Sequence, residues 1–344
     1  MSELDYWLTT PRLHLSGDQP IEFGEVKLRI VGDLEADRTR EAMTRRLMGP
    51  ARATDVYAPK VEQFRNSTSV ALRLPGTQSD HSAVRDIGQR YEALIFLTEA
   101  FAMKRSQIHR LLGISSSQHH PSTDLILPVP GRRWHYSDRF STRTIRQPVI
   151  VQGLSITDRT KKRFVSLGLV HLAPCIVRPA QHETLRRVHE ALRWLDQSLL
   201  EKDSSAAVVK TCIGFESLFG FDKNEPLRQS IGDRGAFLLA RSAEDRPVIA
   251  KLLRDFYDHR SSIVHGGGKK RKWTEESQQQ LDRLLLVSAL SLASLAETHA
   301  DVDSLRRLFD GLKWASSPSI PASPVAQSLL KRTYVQRPDE RRAS

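Results

Sequence analysis

From Gln181 onward the apolar residues fall into long stripes at helical spacing, and this periodicity constrains the fold more than any other feature of the chain. Leu185, Val188, Leu192, Leu195 and Leu199 step by three and four, which gives a helix with one core-facing side. A second helix is predicted over 204–219, apolar at Val208, Val209, Cys212, Phe215 and Phe219 and stopped at Gly220. A third covers about 227–239. The fourth opens with Ser242 as N-cap and Asp245 three residues later, a capping box with Asp in place of Glu or Gln. It carries Ile249, Leu253, Phe256 and Tyr257 and must end at Gly266-Gly267-Gly268. The fifth, about 275–299, is apolar nearly all round, at Leu281, Leu284 to Val287, Leu290, Leu292 and Leu295. Such a helix is either the buried centre of a bundle or a dimer face. A shorter helix follows at about 304–314.

The first half has a different texture. One helical repeat, Val84, Ile87, Tyr91, Leu94, Ile95 and Phe101, predicts an amphipathic helix over roughly 83–104. Around it, Pro and Gly bound short β-like runs at 26–30, 69–74, 124–129, 148–156 and 164–172. The expected architecture is an α+β N-terminal domain over 1–178, an all-α helical domain over 179–315, and a tail over 316–344. A length of 344 residues fits two domains. The proline-bearing stretch 174–180 is the expected linker, and the Ser-, Pro- and Arg-rich tail has the composition of disordered chain.

Lys and Arg outnumber Asp and Glu by 52 to 40, a net charge of +12. That surplus favours polyanionic partners through phosphate contacts and counterion release. No apolar run is long enough to cross a bilayer, and Met1–Asp5 opens no secretory signal, so a cytoplasmic protein without a membrane partner is expected. The two cysteines, Cys175 and Cys212, each sit in an apolar stretch and are expected to be buried reduced thiols. His119-His120, with His109 and His135 nearby, lacks a Cys or third ligand at finger-like spacing, so no metal is expected. Neither a P-loop nor a dinucleotide fingerprint occurs, and no cofactor is expected.

The fourth predicted helix ends Leu253-Arg-Asp-Phe-Tyr-Asp-His-Arg260-Ser-Ser-Ile-Val-His265-Gly-Gly. Upstream lie Ile213-Gly-Phe-Glu216-Ser-Leu-Phe and Arg234-Gly-Ala-Phe-Leu-Leu. Three such blocks in this order, over about 135 residues, resemble the Apea-like branch of the HEPN superfamily; the resemblance covers about 181–315 and does not reach the N-terminal domain. It implies an all-α HEPN bundle, a homodimer and a metal-independent endoribonuclease leaving 2′,3′-cyclic phosphate ends. It also implies a single-stranded or tRNA-like RNA substrate and a role in phage defence or toxin-like growth arrest. Arg260 and His265 are then the catalytic pair, and Glu216 matches an acidic position that the family keeps close to them. Ser261 stands where many active members put Asn, Asp or His, and Gly267 where the tyrosine-modified toxins have Tyr. The alternative is a non-catalytic HEPN scaffold that binds RNA or a protein partner, with Arg260 and His265 only closing the helix end.

The residue types suit RNA cleavage independently of the family. Attack by the 2′-hydroxyl needs a base for its proton and an acid for the leaving 5′-oxygen, and histidine serves either role near neutral pH. The phosphorane gathers negative charge that a forked guanidinium is shaped to hold. An offset of five turns a helix by about 500°, which leaves Arg260 and His265 about 140° apart. The family's dimerisation, which brings two Arg and two His into one cleft, answers that separation. Lys269, Lys270, Arg271 and Lys272 follow within a few residues, placed to grip flanking phosphates, with Trp273 able to stack a base; a solvated connector is the plain alternative. A second basic run extends from Arg132 and Arg133 to Arg163, with Trp134, Tyr136 and Phe140 interleaved, which has the look of a nucleic-acid surface or of an ordinary β core.

Overall fold

The computed structural model describes residues 4–10, 12–16, 20–23, 26–30, 68–74, 81–112, 126–128, 153–177, 182–240, 242–266 and 273–314. The described part is mostly helical, with short strands near the N-terminus. The chain divides into two units, Met1–Ser166 and Leu167–Ser344.

In the first unit, β1 (Leu4–Thr9), β3 (Ile21–Phe23), β4 (Val26–Ile30), β5 (Thr68–Leu74) and β6 (Ile126–Pro128) form an antiparallel sheet ordered β3-β4-β5-β1-β6. A separate parallel pair joins β2 (Leu13–Leu15) to β7 (Leu154–Ile156). Helix α1 (His81–Ala100) lies against β1 and β5 and buries Ile87, Tyr91, Leu94, Ile95 and Phe96, followed by α2 (Arg105–Leu111). Of the expected runs, 26–30, 69–74 and 124–129 correspond to β4, β5 and β6, and 148–156 to β7 where it is described. β1, β2 and β3 have no counterpart in the sequence reading.

The run 164–172 is not a strand. It spans the end of α3 (Asp158–Ser166) and the start of α4 (Leu169–Val177). Thr160, Phe164, Leu167 and Leu169 are buried at spacings of four, three and two, while Arg159, Lys162 and Val165 face out, so the burial along α3 follows the helical period. Thr157 opens α3 through a reciprocal pair: its Oγ1 accepts the Thr160 amide and its own amide reaches Thr160 Oγ1, both at 3.3 Å. Gly168, at φ 71°, turns the chain between the two helices.

The second unit is a helical bundle. After α4 come α5 (Glu183–Leu199), α6 (Ser204–Phe219), α7 (Leu227–Leu239), α8 (Asp245–His265), α9 (Glu275–Leu295) and α10 (Val302–Trp314). The unit begins at Leu167 rather than 179 because α4 packs on α5 and α9; Pro174, expected in a linker, lies inside α4. Its missing N–H forfeits one helix bond there. α9 is the centre: Leu281, Leu284 to Val287, Leu290 and Leu292 are all buried within the single chain, and α9 packs on α4, α5, α6 and α7. Of the two expectations for this helix, the buried centre is the one the structure has, so α9 supplies no argument for a second copy.

Local chemistry sets the ends. Asp203 Oδ1 accepts the Ser205 amide at 2.8 Å and Thr274 Oγ1 the Ser277 amide at 3.1 Å, capping α6 and α9. Ser242 Oγ accepts the Asp245 amide at 3.3 Å, but α8 starts at Asp245 with Glu244 at its N-cap and no side-chain cap bond, so Ser242 is not the N-cap and the expected capping box is absent there. Gly266 closes α8 at φ 65°, a left-handed geometry that costs a side chain about 1–2 kcal/mol. The turn from α6 to α7 is clasped around Phe221, whose ring lies 3.9 Å from the Arg234 guanidinium and 5.3 Å from that of Arg187. Arg187 donates to the Ser217 and Gly220 carbonyls at 3.0 and 2.8 Å, and Arg234 to Glu225 at 2.9 Å. At Gly235 a Cβ would stand 2.3 Å from Leu253 Cδ1, so the bare backbone lets α7 approach α8.

Because the middle of α9 is enclosed, Leu285→Ala, at a fully buried position, should destabilise the chain by about 2–5 kcal/mol in urea unfolding. A loss under about 1 kcal/mol would mean that this position is not packed as described.

Candidate functional site

α6 and α8 pack side by side and bring the motif residues together in part. Arg260 Nη2 lies 3.4 Å from Glu216 Oε1, with both side chains 21% exposed. The contact is an ion pair without a hydrogen bond, for Glu216 Oε1 and Arg260 Nε are buried with no hydrogen-bonding partner among the described residues. Three residues before Arg260, one helical turn back, the Tyr257 ring stands 5.6 Å from the guanidinium carbon.

Burial is the largest influence on Glu216 and holds its carboxyl above the usual range, against the Arg260 charge and the neighbouring Tyr257 hydroxyl, both of which favour the carboxylate. Tyr257 is likewise raised, first by burial and then by the facing carboxylate. Beneath them Cys212 is enclosed, with its Sγ 4.0 Å from the Phe256 carbonyl, and burial pushes its thiol far up.

His265 is the last residue of α8 and is exposed, with Val264 beside it 49% exposed. α8 runs unbroken from Asp245 to His265, so no distortion of its last turn draws the pair together and the separation of about 140° stands. Within one chain Arg260 faces α6, His265 faces solvent, and the half-buried Ser261 lies between them in sequence.

Trp273 lies just ahead of α9 and is engaged by the protein itself. Its ring stacks on His259 at 4.4 Å between centroids and 7° between planes, meets Phe256 edge-on at 5.2 Å, and its Nε1 donates to Gln278 Oε1 at 3.2 Å. From Gln278 a buried polar chain continues inward. Gln278 Nε2 donates to Asp282 Oδ1 at 2.8 Å, Asp282 Oδ1 is 2.8 Å from Thr211 Oγ1, and Thr211 Oγ1 is 2.8 Å from Ser198 Oγ. This network joins α5, α6 and α9 and, through the Trp273–His259 stack, fixes α8 one residue before Arg260.

Lys269, Lys270, Arg271, Lys272, Arg132 and Arg133 lie outside the described residues, as do His119, His120 and His135. Arg163, at the end of the second basic run, pairs with Glu99 and donates to the Thr98 carbonyl at 3.3 Å, so its charge is partly spent within the first unit. Among the described residues no group of three or more His, Cys, Asp or Glu could hold a metal ion. No helix of the described residues is long and apolar enough to cross a membrane. No family model, no curated protein and no solved structure matches this chain.

Gln278 and Asp282 belong to this site and carry no role in the sequence reading, where Tyr257 counts as an apolar-face and motif residue without a site role. Tyr257 had a usable signal, since a residue three before an arginine on a helix shares its face. Gln278 and Asp282 lie in the polar first turns of α9, where nothing sets them apart from the neighbouring Glu, Gln and Arg, and only the fold shows that they meet Thr211.

The cysteines provide a direct check. Cys212 is buried as expected, but Cys175 is exposed because it lies on the outer side of α4. A disulfide-exchange reagent should titrate one thiol per folded chain and both after denaturation. Two fast thiols in the folded protein would contradict the packing of α6 against α8.

Proposed function

We propose that this chain is a metal-independent endoribonuclease of the HEPN kind, acting as a homodimer on single-stranded or tRNA-like RNA. The observation that carries the reading is the pairing, at one helix end, of an arginine held by Glu216 and Tyr257 with a solvent-exposed histidine. In the proposed reaction the 2′-oxygen attacks phosphorus while a His265 imidazole takes its proton. The bond to the 5′-oxygen breaks as a second imidazolium protonates that oxygen, which leaves a 2′,3′-cyclic phosphate and a 5′-hydroxyl. Arg260 stabilises the charge on the non-bridging oxygens. Its contact with Glu216 is an ion pair and not a hydrogen-bonded fork; Nε is buried, so the terminal nitrogens are the ones that would meet phosphate.

The separation of Arg260 from His265 along a straight α8 favours a site shared between two copies, with the ends of both α8 helices meeting at a two-fold axis. The exposed Val264 beside His265 suits such a contact. The net charge of +12 supports an RNA partner. The motif blocks support the HEPN assignment and, with it, a cytoplasmic role in phage defence or toxin-like growth arrest.

A second reading has its own observation. Arg260 is already engaged inside its chain by Glu216 and Tyr257, as expected of a structural arginine in a non-catalytic RNA- or partner-binding scaffold.

Incubation with total cellular RNA in EDTA separates the two. The ribonuclease cleaves without added metal and leaves 2′,3′-cyclic phosphate ends, and His265→Ala falls by at least about a hundredfold. Strict magnesium dependence, 3′-hydroxyl products or an undiminished His265→Ala variant would overturn the mechanism.

A further inference from the structure

We infer that Trp273 is a positioning residue for Arg260, acting through its stack on His259; this deepens the ribonuclease reading and rests on it.

The end of α8 that carries Arg260 lies outside the core. Ile249, Leu253 and Phe256 are buried, but from Tyr257 to His265 every residue is half-buried or exposed. Apolar burial does not fix this stretch, so side-chain ties must. Three consecutive residues supply them, and successive residues on a helix point about 100° apart. Arg228 of α7 donates twice to the Asp258 carboxylate, at 2.6 and 2.8 Å. His259 stacks on Trp273, just ahead of α9, at 4.4 Å between centroids and 7° between planes. Arg260 reaches Glu216 of α6 at 3.4 Å. The ties leave the helix in three directions and set its rotation about its own axis, which is what aims Arg260 at α6.

Of these three, the tie to Trp273 has roots in the core. Asp258 and Arg228 are each about half exposed, at 51% and 49%, where an ion pair is weak and screened by salt. Trp273 is held at its edge as well as its face: Nε1 donates to Gln278 Oε1 at 3.2 Å, and Phe256 meets the ring at 5.2 Å. Gln278 Nε2 in turn donates to the buried Asp282 and Thr211, at 2.8 and 3.0 Å. A hydrogen bond in the ring plane stops the indole from turning, so the stack sets a direction as well as filling space. His259 and Arg260 are neighbours on one helix, and a shift of the first carries the second.

In the full chain, Trp273→Leu and His259→Leu each break the stack from one side, and the double variant breaks nothing further. With RNA as substrate, each single variant should lower kcat at least about tenfold, with KM changed by less than about threefold, because a displaced charge-holding group costs rate more than affinity. The double variant should fall no further than either single one, as for two residues that share one interaction. His259→Phe, which keeps a flat ring against the indole, should recover most of the loss. Amide exchange read by mass spectrometry should quicken several-fold, up to about tenfold, over 257–265 in both leucine variants and stay unchanged in α5, the worth of one aromatic stack lost locally. Circular dichroism confirms that each variant is folded, and the half-buried His259→Leu carries the test if Trp273→Leu does not fold.

Unchanged exchange over 257–265 overturns the inference, as does an unchanged kcat in the folded leucine variants, or losses in the two single variants that multiply in the double. A KM raised by Trp273→Leu with His259→Leu unaffected overturns it too, and assigns Trp273 to a base of the RNA. If the parent protein leaves RNA intact, the ribonuclease reading fails, and exchange over 257–265 alone then decides whether the stack holds this end of α8.

Discussion

A helix that is apolar nearly all round through its middle can persist in water only if other helices surround it, and α9 is such a helix from Leu284 to Ala293. Its burial dictates most of the second unit, because α4, α5, α6 and α7 must all find room against it. A polar line through this core, Gln278, Asp282, Thr211 and Ser198, is hydrogen-bonded from end to end. That line also reaches the surface. Through Gln278 it holds Trp273, through Trp273 it holds His259, and so the core fixes the segment of α8 that carries Arg260.

The functional end of α8 is therefore rigid on one side and open on the other. Arg260 is bound to its own chain by Glu216 and Tyr257, while His265 stands at the last helical position before Gly266 turns the backbone away. An unbroken helix cannot place residues five apart on one face. That separation favours, in the proposed reading, a pair that acts between two molecules. The proposed shared cleft follows from that geometric limit and from the motif resemblance taken together.

Much of the helical unit is legible in the sequence. The three-four stripe of α5, the stop at Gly220 and the end of α8 at Gly266 are local signals, and local chemistry decides them. The first unit is less so. Its strands β2 and β3 are three residues long, too short to show a period, and 164–172 resembles a strand because Leu and Val are dense on both sides of Gly168. Pro174 suggests a linker, yet the apolar face of α4 binds it to the bundle. Within the site, Arg260, His265 and Glu216 stand out by motif. Tyr257 belongs to the same motif lead-in, but its place against the Arg260 guanidinium shows only in the fold.

The shared cleft is the central claim, and subunit mixing tests it most directly. Arg260→Ala and His265→Ala chains, each inactive alone, would be combined under conditions where exchange is verified by mass. Heterodimers then carry one intact Arg260 and one intact His265 on different chains. Partial return of RNA cleavage is the expected result, since the two groups act across the interface. No return despite confirmed exchange would contradict the shared site and leave each chain with a complete site of its own or with none.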